Sequence, residues 1–173
     1  MWAEQPRDGD KSLRVLIVGS DRALEEEFRS ALSRVPDRQG TLYFADTHRE
    51  AAEVARRRQP NLILIEIDRH AAEIAALAKD LQAQAPESAI AGAFTPDRLE
   101  QGQSEGGTII ELLRAQVRDF LRRPLSTTEL RAVLDRLFSR LPDSAPAAQG
   151  RPRVQRFVEW LLAEAQAPGR PRD

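Results

Sequence analysis

Cysteine is absent from this chain, and histidine occurs only twice, as His48 and His70. The first absence excludes disulfides, thiolate zinc sites and cysteine nucleophiles, and it fits a reducing cytoplasm. The second leaves very little material for a histidine-rich metal centre or a serine–histidine triad. Charge of one sign is also lacking: 26 basic residues face 27 acidic ones, for a net charge of −1. No global field therefore recruits nucleic acid or a membrane surface. Long apolar runs are missing too, so no segment predicts a bilayer span. The first residues, Met1 to Lys11, are polar and charged, unlike a secretory signal.

What is present is an ordinary soluble composition, 41% apolar and 31% charged over 173 residues. That length is ample for one core plus an appendage. Leu13 to Val18 is a short β-branched run ending at Gly19-Ser20, and predicts an interior strand. Leu24, Phe28, Ala31, Leu32 and Val35 then recur at helical spacing, with Ser20 or Asp21 available as the cap. Thr41 to Ala45 predicts a second strand. Ala51, Ala52, Val54 and Ala55 mark a second helix whose last turn, Arg56-Arg57-Arg58, complements the macrodipole.

Pro60-Asn61-Leu62-Ile63-Leu64-Ile65-Glu66-Ile67-Asp68 reads as a buried parallel strand ending in acid. Ile74, Leu77, Ala78, Leu81 and Ala85 follow on one helical face, and Ala89 to Phe94 predicts a fourth strand. Thr95-Pro96-Asp97 is expected to cap a short helix with proline at its first position. Gly102 to Gly107 is expected to form a loop, and Thr108 to Glu111 to restart a helix through a capping box. No Gly-Lys-Ser/Thr follows those glycines, so the loop is not a phosphate-binding P-loop. Val117 to Leu121 is the fifth strand, and Ser126 to Glu129 caps a final helix with Leu130, Val133, Leu134, Leu137, Phe138 and Leu141 inward.

Five strand–helix repeats specify a parallel sheet with helices on both faces, joined by right-handed crossovers. Residues 13–141 form that domain, after a disordered stretch at 1–12. Residues 142–152, rich in alanine and proline, read as a linker. Val154, Phe157, Val158 and Leu161 then repeat at i, i+3, i+4 and i+7, predicting an amphipathic helix over 153–167 before a disordered tail at 168–173. A lone helix of this length is marginal in water and needs a surface to pack on. Arginines exceed acids only slightly in this tail, and no helix-turn-helix follows the sheet, so a nucleic-acid partner is not expected.

In an open α/β sheet, ligands and chemistry gather outside the carboxyl ends of the strands. Four places there matter together: the end of the first strand, Glu66, the end of the fourth strand, and Phe120 to Pro124. On these residues the chain resembles the receiver (CheY-like) domain of two-component response regulators, over roughly Leu13 to Leu141. Arg118 to Ser126 is similar to that family's run of aromatic, short spacer, lysine, proline and helix cap; Pro60 to Ile67 is similar to its phospho-acceptor strand. The Val117-to-Leu125 stretch is also similar to the receiver-like N-terminal domains of Flp/Tad pilus-assembly localisation ATPases, although nothing after Gly150 contains a P-loop. The resemblance implies a flavodoxin-like sheet of order 2-1-3-4-5, here with a C-terminal extension helix.

The family holds Mg²⁺ on an acidic pair after the first strand, phosphorylates an aspartate after the third, senses it with a hydroxyl after the fourth and pairs it with a lysine after the fifth. By that resemblance the acidic pair falls on Gly19 and Ser20, with Asp21 one step late. The phospho-acceptor position is Glu66, the hydroxyl is Thr95, the switch aromatic is Phe120, and the lysine position is Arg123. Mg²⁺ is normally held through carboxylates with water and phosphate; Gly19 has no side chain and Ser20 offers a neutral oxygen. Glu66 carries an extra methylene, and a misplacement of roughly 1 Å costs on the order of 100-fold in rate.

Two readings of Glu66 follow. It is a constitutive mimic paired with Arg123, whose planar, permanent charge suits a carboxylate, or it is a solvated strand-end acid beside a surface cation. Together these features predict an atypical, phosphorylation-independent receiver domain of a bacterial pathway: no enzyme, no metal, no cofactor, no membrane insertion. Protein partners, and a homodimer, would use the face made by the fourth helix, fifth strand and fifth helix, from Thr108 to Gln116, Phe120 and Ser126 to Arg140. The alternative is a working phospho-acceptor using Glu66 or Asp68 with Mg²⁺. His70, in the loop after the third strand with Asp68 and Arg69, is expected to be a surface residue and not a ligand.

Overall fold

Strand and helix alternate along the chain in the computed structural model, which describes residues 12–36, 38–68, 70–95 and 105–139. The elements are β1 (Leu13–Val18), α1 (Ala23–Ser33), β2 (Gly40–Ala45), α2 (His48–Arg58) and β3 (Leu62–Ile67). They continue as α3 (Ala71–Gln84), β4 (Ala89–Phe94), α4 (Glu105–Arg114), β5 (Val117–Arg122) and α5 (Thr127–Ser139). The strands form one parallel sheet in the order β2-β1-β3-β4-β5. The linker at 142–152, the helix expected over 153–167, the tail and the short helix after Thr95 lie outside the described residues.

Every residue of the central strand β3 is buried. A parallel strand covered on both faces needs a continuous apolar run, which Leu62 to Ile65 supplies. Side chains alternate across the sheet, so Ile63, Ile65 and Ile67 enter the core under α2, α3 and α4. Leu62 and Leu64 enter the opposite core with α1 and α5. Glu66 shares their parity, and the same alternation aims its carboxylate at the α1 side. Burying each of these aliphatic side chains contributes roughly 1.5–3 kcal/mol, which anchors the strand that carries the acid.

Two helix starts differ from expectation. The cap position of α1 is Arg22, with no side-chain cap bond; Asp21 instead accepts the Ala23 N–H at 2.8 Å, while Ser20 is occupied elsewhere. Helix α4 begins at Glu105, so Thr108 is a buried interior residue and not the head of a capping box. The expected loop gives its last residues to the helix. Glycine costs about 1 kcal/mol in a helix interior, and packing of α4 along α3 with Ile109, Leu112 and Ala115 buried offsets that cost. Among the described residues no helix is long and apolar enough to cross a membrane.

Candidate functional site

The carboxylate of Glu66 is held at both oxygens. Its Oε2 accepts the Ser20 N–H at 2.8 Å and the Ser20 hydroxyl at 2.9 Å. Its Oε1 accepts Arg123 Nη1 at 2.6 Å. The Glu66 side chain is 5% exposed and that of Arg123 13%, so neither is a solvated surface charge. The chain itself brings Ser20 into place: β1 ends at Val18, and Gly19 bonds through its N–H to Ala45 O at 3.2 Å. That turns the next peptide N–H toward β3.

Arg123 is shared with a second acid, Glu27 of α1. Nη2 donates to Glu27 Oε1 at 2.7 Å, and Nε reaches the two oxygens at 3.2 and 3.3 Å. Glu27 also accepts the Leu125 N–H at 3.3 Å. The main chain of Arg123 is fixed by its N–H to Phe94 O at 2.8 Å, and the Arg123–Pro124 peptide is cis. The guanidinium thus joins β3, α1 and the β5–α5 turn. Its pKa is raised above the ordinary arginine value, first by the hydrogen bond to Glu27, then by the charges of Glu27, Glu66 and Asp21; burial works in the opposite direction. Charge-assisted bonds of this planar kind are the stronger class of hydrogen bond.

Position 19 leaves little room for a side chain in this arrangement. A Cβ there would stand 3.0 Å from Glu66 Oε2. A longer carboxylate at 66 and a residue without a side chain at 19 therefore fit one another. No acidic side chain from position 19 or 20 is available to a cation, and among the described residues no group of three histidine or acidic side chains could hold a metal.

The other expected site residues do not join the cluster. Thr95 stands half-buried after β4 and makes no hydrogen bond to Glu66. Phe120 packs half-buried against the α2–α3–α4 core. Asp21 is exposed and acts on Arg123 only through its charge. Asp68 bonds none of the cluster's groups, but it lines a cleft of about 280 Å³ that Gly19 and Glu66 also line, together with Asp46, His48 and Glu73 from the α2–α3 side. His48 bonds Asp80 at 2.7 Å, and His70 serves α3 through its backbone carbonyl, which accepts the Glu73 and Ile74 N–H groups at 3.0 and 3.2 Å.

Glu27 escaped the sequence reading. Glu25, Glu26 and Glu27 form an acidic run at a helix start, a pattern that complements the macrodipole and reads as solvated. Its position held a signal nonetheless. Three helical steps after Leu24 place it only about 60° around the axis from that buried residue.

This sheet, with the Ser20–Glu66–Arg123 cluster at the carboxyl ends of β1, β3 and β5, has the fold of receiver (CheY-like) domains. Solved structures bear this out at low sequence identity. A CheY-like protein (tadZ) from Pseudomonas aeruginosa PAO1 is 18% identical, with a TM-score of 0.55 over 78% of this chain and 99% of that one. A candidate pilus assembly protein (CpaE2) from Sinorhizobium meliloti 1021 is 21% identical, with a TM-score of 0.53 over 73% and 100%. The receiver domain of a sensor histidine kinase from Pseudomonas aeruginosa PAO1, with magnesium in its active-site cleft, is 16% identical, with a TM-score of 0.54 over 74% and 98%. No protein-family model matches the chain, and no curated protein matches it in sequence.

Proposed function

We propose that this chain is a phosphorylation-independent receiver-like domain that works as a protein–protein interaction module in a bacterial signalling or assembly pathway. One observation carries the reading: the carboxylate at the phospho-acceptor position is already bonded at both oxygens, to Ser20 and Arg123. Glu66 with Arg123 stands where an acyl phosphate and its cation would stand, and holds the strand ends in one arrangement. Mg²⁺, which phosphoryl transfer uses to neutralise developing charge, lacks carboxylate ligands at 19 and 20. The pilus-assembly proteins among the structural neighbours favour an assembly role. The α4–β5–α5 face is the surface offered to the protein partner.

Titration with beryllofluoride or acetyl phosphate plus Mg²⁺ tests this. The expected result is no saturable change in the amide spectrum around Ser20, Glu66 and Arg123. A saturable, metal-dependent change identifies a working phospho-acceptor instead. The Glu66→Gln variant supplies the second arm: it should loosen the β1–α1 and β5–α5 turns and alter partner binding, and unchanged dynamics and binding would defeat the mimic.

A further inference from the structure

The two edges of the sheet differ. Strand β5 is blunted: it exposes Arg118 and Arg122, ties Asp119 to Arg136, and shifts register against β4 between Ile90 and Ala91. Charges and bulges of this kind keep an edge from pairing with another chain. Strand β2 has neither. Gly40 to Ala45 holds no charge and no proline, pairs with β1 in one unbroken register, and is rich in residues that favour strands.

The open side of β2 follows from alternation along the strand, in which successive residues turn their N–H and C=O to opposite edges. Gln39 O and Ala45 O accept the Leu13 and Gly19 N–H groups of the β1 segment, so the odd-numbered residues of β2 face β1. Gly40, Leu42 and Phe44 therefore turn both backbone groups outward, and among the described residues nothing bonds them there.

A cation stands over each face of this edge. Arg58 lies over the Tyr43 ring on the α2 face, 5.5 Å from its centroid, and Arg22 over Phe44 on the α1 face, at 4.8 Å. Arg22 shares Glu25 with Arg29, at 2.8 and 2.7 Å, so one carboxylate serves two guanidiniums, and Glu26 pairs with neither. On the other face Glu53 is taken by Arg57. Among the described residues no acid pairs with Arg58. Glu50 lies about 12 Å from it along α2, beyond a screening length of about 8 Å, and Asp46 lines the cleft beside Glu66.

We propose that the β2 edge takes an extended acidic segment of a partner protein as an added strand, a second interaction surface beyond the α4–β5–α5 face. Backbone bonds to Gly40, Leu42 and Phe44 hold the segment, and the two arginines select its charge. Tyr43 and Phe44 are consecutive and lie on opposite faces, so acids an odd number of positions apart reach both cations. The same cations disfavour a second copy. Two copies paired edge to edge about a two-fold axis normal to the sheet keep each face continuous, which sets Arg58 with Arg58 and Arg22 with Arg22.

Amide exchange of the full chain tests this with two synthetic peptides of alternating threonine and valine, one carrying two adjacent glutamates and the other two adjacent lysines. With the glutamate peptide at about 1 mM, the Gly40, Leu42 and Phe44 amides should exchange roughly tenfold more slowly. Thr41, Tyr43 and Ala45, already turned to β1, should not change. The lysine peptide should protect none of them. Arg58→Glu, at an exposed position, should weaken the glutamate peptide about tenfold and admit the lysine peptide, with Tm unchanged. No protection of the outward amides by the glutamate peptide overturns the proposal, and so does equal protection by both peptides. Protection without peptide that grows with chain concentration, alongside the mass of two chains, assigns the edge to a second copy and overturns it as well. None of these amides belongs to the Ser20–Glu66–Arg123 cluster, so a positive beryllofluoride titration would defeat the reading of that site and leave this one standing.

Discussion

Gly19 and Glu66 are sterically matched: a Cβ at position 19 would come within 3.0 Å of Glu66 Oε2. The oxygen it meets ends a flexible side chain, but that side chain is buried and tied to Ser20 and Arg123. Gly19→Ala therefore requires the carboxylate to give by a few tenths of an ångström against its donors. Overpacking of this kind costs about 1–3 kcal/mol, against roughly 0.4–1 kcal/mol recovered from the stiffer unfolded chain. The net expectation is a loss of about 1 kcal/mol in urea unfolding. In a Glu66→Ala background the same change should be neutral or stabilising. A double-mutant cycle with no coupling between the two positions contradicts the match.

Arg123 is bonded to both Glu27 and Glu66. Removing one partner of a buried ion pair leaves an uncompensated charge and typically costs about 3–5 kcal/mol. Arg123→Ala is expected in that range. Arg123→Lys keeps the charge but cannot bridge both acids with one planar fork, so it should recover less than half of the loss. Glu27→Gln should cost only about 1–2 kcal/mol, because Glu27 is 26% exposed and water compensates it. Denaturant midpoints of the three variants rank these effects, and a lysine variant as stable as the native chain would contradict the shared-fork geometry.

The raised pKa of Arg123 fixes the sign of one pH effect. A cation whose pKa is higher folded than unfolded contributes stability that is fully present below its unfolded value. That contribution is lost only as pH rises through the folded value. Arginine ionises beyond the range in which proteins are handled, so the guanidinium should not weaken the cluster between pH 7 and 10. Arg123→Lys brings an ordinary lysine pKa into reach. Paired with the same two acids, the lysine should keep its contribution up to its unfolded value of about 10.4 and lose it only as pH rises above that, so the variant's stability relative to the native chain should fall there. Urea midpoints of both chains from about pH 9 to 11.5 check this, and a native chain that weakens as steeply as the variant would refute it.

The sheet was legible because its signals are local and redundant. Leu13 to Val18 and Leu62 to Ile67 are apolar runs of strand length between turn residues, and all but Arg14 and Glu66 could only be core. Arg123 and Glu66 were legible as a candidate pair because each lies at a strand end and carries opposite charge. Their exposure was not legible, since the same residues serve equally as a solvated acid and a surface cation. Burial depends on what α1 brings over them, and Glu27 arrives from a distant part of the chain. The start of α4 was misread for a related reason. Gly106 and Gly107 oppose a helix locally, and only the long-range contact with α3 reverses that preference.

Glu66→Asp shows how far the missing metal chemistry can be rebuilt. It withdraws the carboxylate by about one C–C bond, roughly 1.5 Å, which breaks the contacts to Ser20 and Arg123 and opens the space over position 19. Alone, this change should lower stability by about 1–3 kcal/mol and leave the chain indifferent to Mg²⁺, because positions 19 and 20 still offer no carboxylate beside it. Adding Gly19→Asp places a second carboxylate beside the first, now without the 3.0 Å clash. Two such acids repel one another and supply the oxygen charge that Mg²⁺ requires. The double variant should therefore be less stable than either parent without metal and regain stability with millimolar Mg²⁺, seen as a metal-dependent rise in Tm. The native chain should show no such rise. If it does, Gly19 and Ser20 are not what keeps the cation out.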